Sequence, residues 1–534
     1  MAPSERDPLL PSAPRNNPPN IRTEVDGVES SLHSADSTQV DFPNEAGLGQ
    51  ATGPETLNFR LFLSLLLDSI PVILSYILQN SIQTTSVVIA GRLGPDELSV
   101  AAFSMMLAFK DDPTVPSVTP TGWCVALGGT TALDTLGSQA FTGGARPTDL
   151  SVHFQRCVLI LWILLIPVGV LWSFSERILL ALHQPPFLCR DVQRFLRLMV
   201  FGAPGYVGFE SLKKYLQCQG IMGASTLVLA VVFPINIALN VYLIHNTPLG
   251  LLGSPVALSI TYWLMFALLG LLTCLNPAHK RNATWGGFNM KIVLDPRSCY
   301  EFLKLALPGI LMVGTEWAAF ELVALASGLL GPVPLAAQSV IMTTDQILNT
   351  IPFGIGVAAS TRVGNLIGSR SVLGAKYASH ASAVLSVIVG FIVMGLMMAF
   401  KDVYGYLFSD DRDVVKLVSQ VMPLVASFQV ADGLAGSCGG VLRGQGRQHL
   451  GAFFNIVAYY VLALPIGATL AFHSRTHLGL QGLWIGQVVG LFIVGIGEYG
   501  VVWLGTDWDA EIQKGIERNR EEAKRQALHD AMYE

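Results

Sequence analysis

Long apolar runs, broken by short polar stretches, dominate the chain from residue 61 to 504. The runs fall at 61–90, 98–141 (interrupted), 155–175, 192–217, 221–245, 250–275, 301–330, 334–361, 378–400, 413–442, 451–472 and 479–504. Each is long enough to cross a hydrocarbon core of about 30 Å as a helix, which takes about 20 residues. The pattern predicts an all-α integral membrane protein with twelve transmembrane helices. Many runs carry Pro or Gly in mid-span, as membrane helices that line a cavity do. Residues 1–58 have no apolar periodicity and are rich in Pro, Ser, Asn and Asp, the composition of a disordered tail. The closely spaced opposite charges of residues 505–534 suggest a solvated helix with i,i+4 pairs, although a polar, solubilising tail is the better reading.

The twelve runs repeat as six and six. PVILSYILQNSIQTTSVVIAGRLG (71–94) aligns with PGILMVGTEWAAFELVALASGLLG (308–331) at an offset of 237, matching Pro71 with Pro308, Gly91 with Gly328 and Gly94 with Gly331. Further on, Gln219-Gly220 pairs with Gln445-Gly446 at an offset of 226. An even number of spans per unit makes the copies parallel repeats about an axis along the membrane normal, with a path between them. The chain therefore divides into a tail (1–58), an N-lobe (59–277), a linker (278–300), a C-lobe (301–504) and a second tail (505–534). The drop in offset leaves eleven extra residues in the N-lobe, assigned to the polar, proline-rich stretch 110–121. Two readings stay open for it: an excursion into an aqueous region, or a retained intron.

Composition narrows the class. Only 13% of residues are charged and the mean hydropathy is +0.50, against about 25% charged in soluble domains. Nucleic-acid binding is excluded as a role. No Walker loop, HExxH or GxSxG is present, and the seven cysteines are scattered rather than clustered, which leaves no case for an enzyme, a metal site or a disulfide framework. Lys and Arg favour the side that holds both termini by 14 to 9, so both are expected in the cytoplasm. The start of the chain has no signal-peptide pattern. Glu5-Arg6-Asp7-Pro8-Leu9-Leu10 resembles an acidic dileucine sorting signal, pointing to a vacuolar or endosomal membrane, with the plasma membrane as the alternative.

Charges at bilayer depth carry the chemistry. Glu316 and Glu321 lie at least nine residues from either end of the run 307–331. A charge at that depth costs at least about 2.5 kcal/mol and usually marks a function. The repeat places neutral Gln79 at the position of Glu316, so the asymmetry between the lobes is in charge. Asp345 and Asp432 are candidates to complete an acidic cluster, and Gln79, Asn80 and Gln83 form a polar stripe in the first lobe. Trp317, Phe320, Tyr459 and Tyr460 are aromatics suited to a cation, although packing is the simpler account of any one of them. Among the other charges, Glu210 has Lys213 and Lys214 within a turn as ion-pair partners, and Glu498 has no partner that the sequence names.

The strings ALDTLGSQAF (132–141), TEWAAFELVAL (315–325), PFGIGVAASTRVGNLIG (352–368) and VLRGQGRQHLGAFFNIVAYYVLALPIG (441–467) closely resemble the eukaryotic, fungal- and plant-like members of the multidrug and toxic compound extrusion (MATE) family. The resemblance is collinear over about residues 60–504. It implies two six-helix bundles around a central cleft and a secondary antiporter that exports organic cations, drugs or toxic metabolites against protons. It implies further that the functional acids sit on the seventh span, here Glu316-Trp317-Ala318-Ala319-Phe320-Glu321, and on the tenth, here Asp432. Prokaryotic members carry an Asp on the first span where this chain has Ser86, so coupling is expected in the second lobe. The expected site is thus Glu316, Glu321, Asp345, Asp432, Gln79, Asn80, Trp317 and Tyr459. No cofactor is expected; the proton, rather than sodium, is the expected coupling ion. The expected partners are a small organic cation and the lipid bilayer, with the chain a monomer. The rival readings are a lipid-linked precursor flippase, which would need a cationic cavity, and a non-transporting receptor or scaffold.

Overall fold

A computed structural model describes residues 54–109, 122–181 and 185–533. The expected N-terminal tail through residue 53, with its sorting signal, and the insertion at 110–121 lie outside these residues. Every described regular element is helical. The first lobe comprises α1 (Pro54–Ala90), α2 (Pro95–Phe109), α3 (Gly122–Gly143), α4 (Asp149–Ser173), α5 (Pro186–Cys218), α6 (Ala224–His245) and α7 (Gly253–Leu275). The second comprises α8 (Pro296–Leu329), α9 (Pro332–Leu348), α10 (Thr350–Gly368), α11 (Val372–Tyr404), α12 (Arg412–Gln445), α13 (the continuous span Gln448–Phe472) and α14 (Leu480–Trp503). Nine helices among the described residues are long and apolar enough to cross a membrane alone. The other three of the twelve predicted spans correspond to α2 with α3, on either side of 110–121, to α9 with α10, a broken helix, and to α5.

The second span of the C-lobe is therefore divided, where the hydropathy pattern gives a single run at 334–361. The break in the C-lobe has a local cause. Pro352 has no amide to bond the Leu348 carbonyl, so the helix stops at Leu348 and restarts at Thr350. A second local departure lies in α13, where Ile456–Ala463 is wound as a π-helix, with the Leu464 amide bonded back to the Tyr459 carbonyl. Pro465 immediately follows and cannot donate to Val461, which favours the wider turn.

The lobes meet closely through small residues. A Cβ on Gly128 of α3 would stand 2.5 Å from the Ile310 Cα of α8. The stripe Gly436, Gly440 and Gly444 on α12 packs on the backbone of Pro352, Gly356 and Ser360 of α10, the close approach that four-residue spacing allows. Five of the seven cysteines are buried, as inert core thiols would be; Cys274 is exposed at the end of α7, and none of the seven is joined in a disulfide.

The C-terminal stretch is not the solvated tail that its charges suggest. Trp508–Tyr533 forms one helix, α15, which buries Trp508, Glu511, Ile512, Glu522, Ala523 and Gln526 against the rest of the protein. It touches both lobes. The Arg518 guanidinium donates to Gln139 Oε1 on α3 at 2.9 Å and to the Gln445 carbonyl on α12 at 3.3 Å. Glu522 accepts from Arg156 on α4 at 3.0 Å and from the Ser298 hydroxyl on α8 at 2.8 Å. Burial raises the Glu522 carboxyl, but the charges of His153 and Arg156 and the hydrogen bonds of Ser298 and Arg156 outweigh it and bring it from 4.5 to about 2. A carboxyl lowered on docking strengthens docking when ionised. That contribution is complete above about pH 4.5 and is lost as the pH falls toward 2. Glu522→Gln should therefore release α15 at neutral pH, seen as faster amide exchange confined to 508–533; the wild type should show that exchange only below about pH 4. Unchanged exchange in the variant would show that the ion pair does not hold the helix.

Candidate functional site

The two lobes handle their buried charges in opposite ways. In the N-lobe two core acids, Glu210 and Asp134, each hold a lysine. Glu210 accepts from Lys213 at 2.8 Å, both side chains fully buried, and Asp134 holds Lys214 at 2.8 Å. Gln79 belongs to this network. Its amide donates to Glu210 at 2.7 Å and to the Tyr206 hydroxyl at 2.8 Å, and its carbonyl accepts from Lys213 at 3.2 Å. Lys213 also lies 4.1 Å from the centre of the Tyr76 ring, a cation–π contact. Ser86, where prokaryotic relatives would carry an acid, joins Asn236 and Asn240 in a buried neutral triad at 3.0–3.2 Å.

In the C-lobe the acids gather. Glu316 on α8, Asp345 at the end of α9 and Asp432 on α12 lie within electrostatic range of one another. Neutral amides hold two of them: Gln429 donates to Asp345 at 2.9 Å and Asn349, at the helix break, donates to Asp432 at 3.1 Å. The break between α9 and α10 thus supplies the donor to Asp432 and ends α9 beside Asp345. The π-turn of α13 brings Tyr459 into the same group. Its ring is fully buried against Phe320, its hydroxyl has no hydrogen-bond partner among the described residues, and it lies in range of all three acids. The neighbouring Tyr460 and Asn455 tie α13 to α8 by donating to the carbonyls of Thr315 and Met312 at 3.0 and 2.9 Å.

Of the predicted residues, the structure brings Glu316, Asp345, Asp432 and Tyr459 together. Glu321 is buried too, but five residues further along α8 it stands about 140° round the helix from Glu316, so the two do not aim at one point. Gln79 is spent inside its own lobe rather than turned to Glu316. Asn80 is the N-lobe residue that reaches across, its amide nitrogen 3.5 Å from the Gln346 carbonyl beside Asp345. Trp317 packs at the lobe boundary against Val72, Tyr76, Leu127, Met222 and Val357, which makes it a seam residue. Two groups in this region were not assigned from sequence. Arg443 on α12 has its Nε 3.7 Å from Asp134 of the opposite lobe, and Glu498 on α14 lies in range of both Arg443 and Glu316. The glycine at 439, which leaves them room, was no signal without the fold.

Comparison with known proteins agrees with this architecture. The MatE family model matches residues 71–242 and 308–469, two copies whose starts differ by the repeat offset. An uncharacterized transporter of Schizosaccharomyces pombe is 34% identical over 502 residues, covering 94% of this chain and 90% of its own. Human multidrug and toxin extrusion protein 1 is 34% identical over 419 residues, covering 78% of this chain and 70% of its own. Among solved structures, the eukaryotic MATE transporter AtDTX14 superposes with a TM-score of 0.78 at 28% identity, over 87% of this chain and all of that one. A Vibrio cholerae MATE transporter shares the fold, with a TM-score of 0.72 at 15% identity. With two copies of the family model spanning most of both lobes, and relatives matched over nearly its whole length, the chain belongs to the MATE family of multi-pass membrane transporters.

Proposed function

We propose that this transporter is a proton-coupled antiporter of organic cations, drugs or toxic metabolites, with Glu316, Asp345 and Asp432 as the place where proton and substrate compete. The observation that carries the reading is the gathering of three carboxylates in one lobe, two of them held by neutral amides, while the core acids Glu210 and Asp134 of the other lobe are paired with lysines. Such a cluster holds surplus negative charge that either a proton or a cation neutralises, but not both at full strength. Access to the cluster from each side in turn, through two conformations with different affinities, would then exchange one for the other. Tyr459 offers its ring to the cation, and Asn80 reaches in from the opposite lobe. The name of the human relative, a multidrug and toxin extrusion protein, agrees with this substrate class. An acidic internal compartment, vacuolar or endosomal, with both termini in the cytoplasm, suits a carrier driven by protons.

The flippase reading asks for a cationic cavity, and the acid cluster speaks against it. Purified protein in vesicles with an acidic lumen should accumulate a fluorescent organic cation, and a protonophore should release it. A sodium gradient alone should not drive uptake. Absence of accumulation, or accumulation indifferent to the pH gradient, would sink the reading.

A further inference from the structure

Glu498 is 0% exposed, and neither of its oxygens has a hydrogen-bond partner among the described residues. An ionised carboxylate left so is expensive. Its surroundings are made by absent side chains. A Cβ on Gly451 of α13 would lie 3.2 Å from Glu498 Oε1; one on Gly439 of α12 would lie 3.5 Å from Oε2 and 3.8 Å from Arg443 Nη1. The two glycines thus open a slot in which Glu498 and Arg443 approach the same spot, with the Met312 methyl as its wall. The other titratable groups facing Glu498 are Glu316 on α8, Cys438 on α12 and Tyr459 on α13.

Arg443 is incompletely engaged as well. It stands 3.7 Å from Asp134 across the lobe boundary, yet its Nε and Nη2 make no hydrogen bond among the described residues. Asp134 does not depend on it, because Lys214 already holds both of its oxygens, at 2.8 and 3.0 Å. One guanidinium therefore pairs loosely with Asp134 in the N-lobe while lying in range of Glu498 and Glu316 in the C-lobe.

We propose that Glu498 is a second proton-binding site, and that its proton decides which carboxylate Arg443 pairs with. With Glu498 protonated, Arg443 stays with Asp134 and ties the lobes together, the arrangement seen here. When the proton leaves to water, the Glu498 carboxylate draws Arg443 into the C-lobe, Asp134 keeps Lys214, and the lobes lose this contact. The proposal rests on proton coupling and adds a group that converts a proton into a change at the lobe boundary. In that role Glu498 is a positioning residue, acting through Arg443 rather than on substrate.

The test reads the lobe boundary directly. Ala145 and Ser369 are exposed on loops that follow the apposed ends of α3 and α10, where a Cβ on Gly143 would meet the Gly368 carbonyl. Spin labels at Ala145→Cys and Ser369→Cys, in full-length protein with Cys274→Ser and Cys299→Ser, report the separation of the lobes. The wild type should show a short distance at acid pH and a growing population at longer distance as pH rises. Glu498→Gln, a fixed mimic of the protonated acid, should hold the short distance at every pH. Glu498→Asp keeps an ionisable group and should retain the transition at a displaced midpoint; it carries the test if the Gln variant does not fold. A distance independent of pH in the wild type would overturn the proposal, as would a wild-type transition in Glu498→Gln, or loss of the transition in Glu316→Gln instead. Antiport itself is judged separately by vesicle uptake, so a protein that moves no cation would fail the functional reading whatever the labels report.

Discussion

Vesicles containing Glu316→Gln should accumulate about one per cent or less of the organic cation taken up by the wild type. The size follows from the proposed role. Removing one member of a desolvated charge pair costs about 3–5 kcal/mol, since the remaining charge is left without its partner, and each 1.4 kcal/mol is tenfold in affinity. A cation entering the cluster of the variant meets Asp345 and Asp432, but each is already tied to an amide of Gln429 or Asn349. Folding should survive, because the substitution copies what the repeat already contains: the corresponding residue of α1 is Gln79. Substrate binding should also lose most of its competition with protons, which scintillation proximity binding across pH would register. Uptake within a few-fold of wild type would remove Glu316 from the site and return the choice to Asp345 and Asp432.

The architecture was legible in the sequence because it is written as repetition. Twelve apolar runs and an offset of 237 need no side-chain detail, and the two MatE matches begin at the residues, Pro71 and Pro308, from which that offset was read. What escaped was decided at single positions. The α9–α10 break lies within a continuous apolar run; Pro352 was visible, but only the fold shows that Asn349 there becomes the donor to Asp432. The π-turn that brings Tyr459 inward leaves no periodicity of its own. The docking of α15 was hidden by charge: its buried positions Trp508, Ile512 and Ala523 are sparse among ionic residues, and its strongest anchors, Arg518 and Glu522, are themselves charged. In the site, acids at bilayer depth pointed to the C-lobe, where Glu316, Asp345 and Asp432 gather. Their partners were not readable, because Asp134 and Arg443 are more than 300 residues apart and meet only across the lobe boundary. Trp317, an aromatic beside an acid, packs at the lobe boundary, the simpler account that the sequence already offered for it.

Asp134→Asn should be the most damaging single change to the assembled protein, with loss of most monodisperse material on detergent extraction. Asp134 is fully buried and faces two buried cations, Lys214 at 2.8 Å and Arg443 at 3.7 Å. Neutralising it leaves Lys214 with no carboxylate, at about 3–5 kcal/mol, a large part of the stability of an ordinary domain. The expectation does not require that the pair stabilise the fold in a net sense. A buried pair replaced as a unit by apolar residues of similar volume is often neutral, so Asp134→Leu combined with Lys214→Met should recover much of the yield that either change alone destroys. Arg443 then separates structure from mechanism. It retains Glu498 as an alternative partner, and the double variant should be folded but biased toward separated lobes at neutral pH, since nothing on the N-lobe side competes for the guanidinium. A fluorescence-detected melting series over the wild type, the two single variants and the double variant measures the coupling energy. Purely additive losses would show that Asp134 and Lys214 stabilise the N-lobe independently, and would leave Arg443 as the principal partner of Asp134.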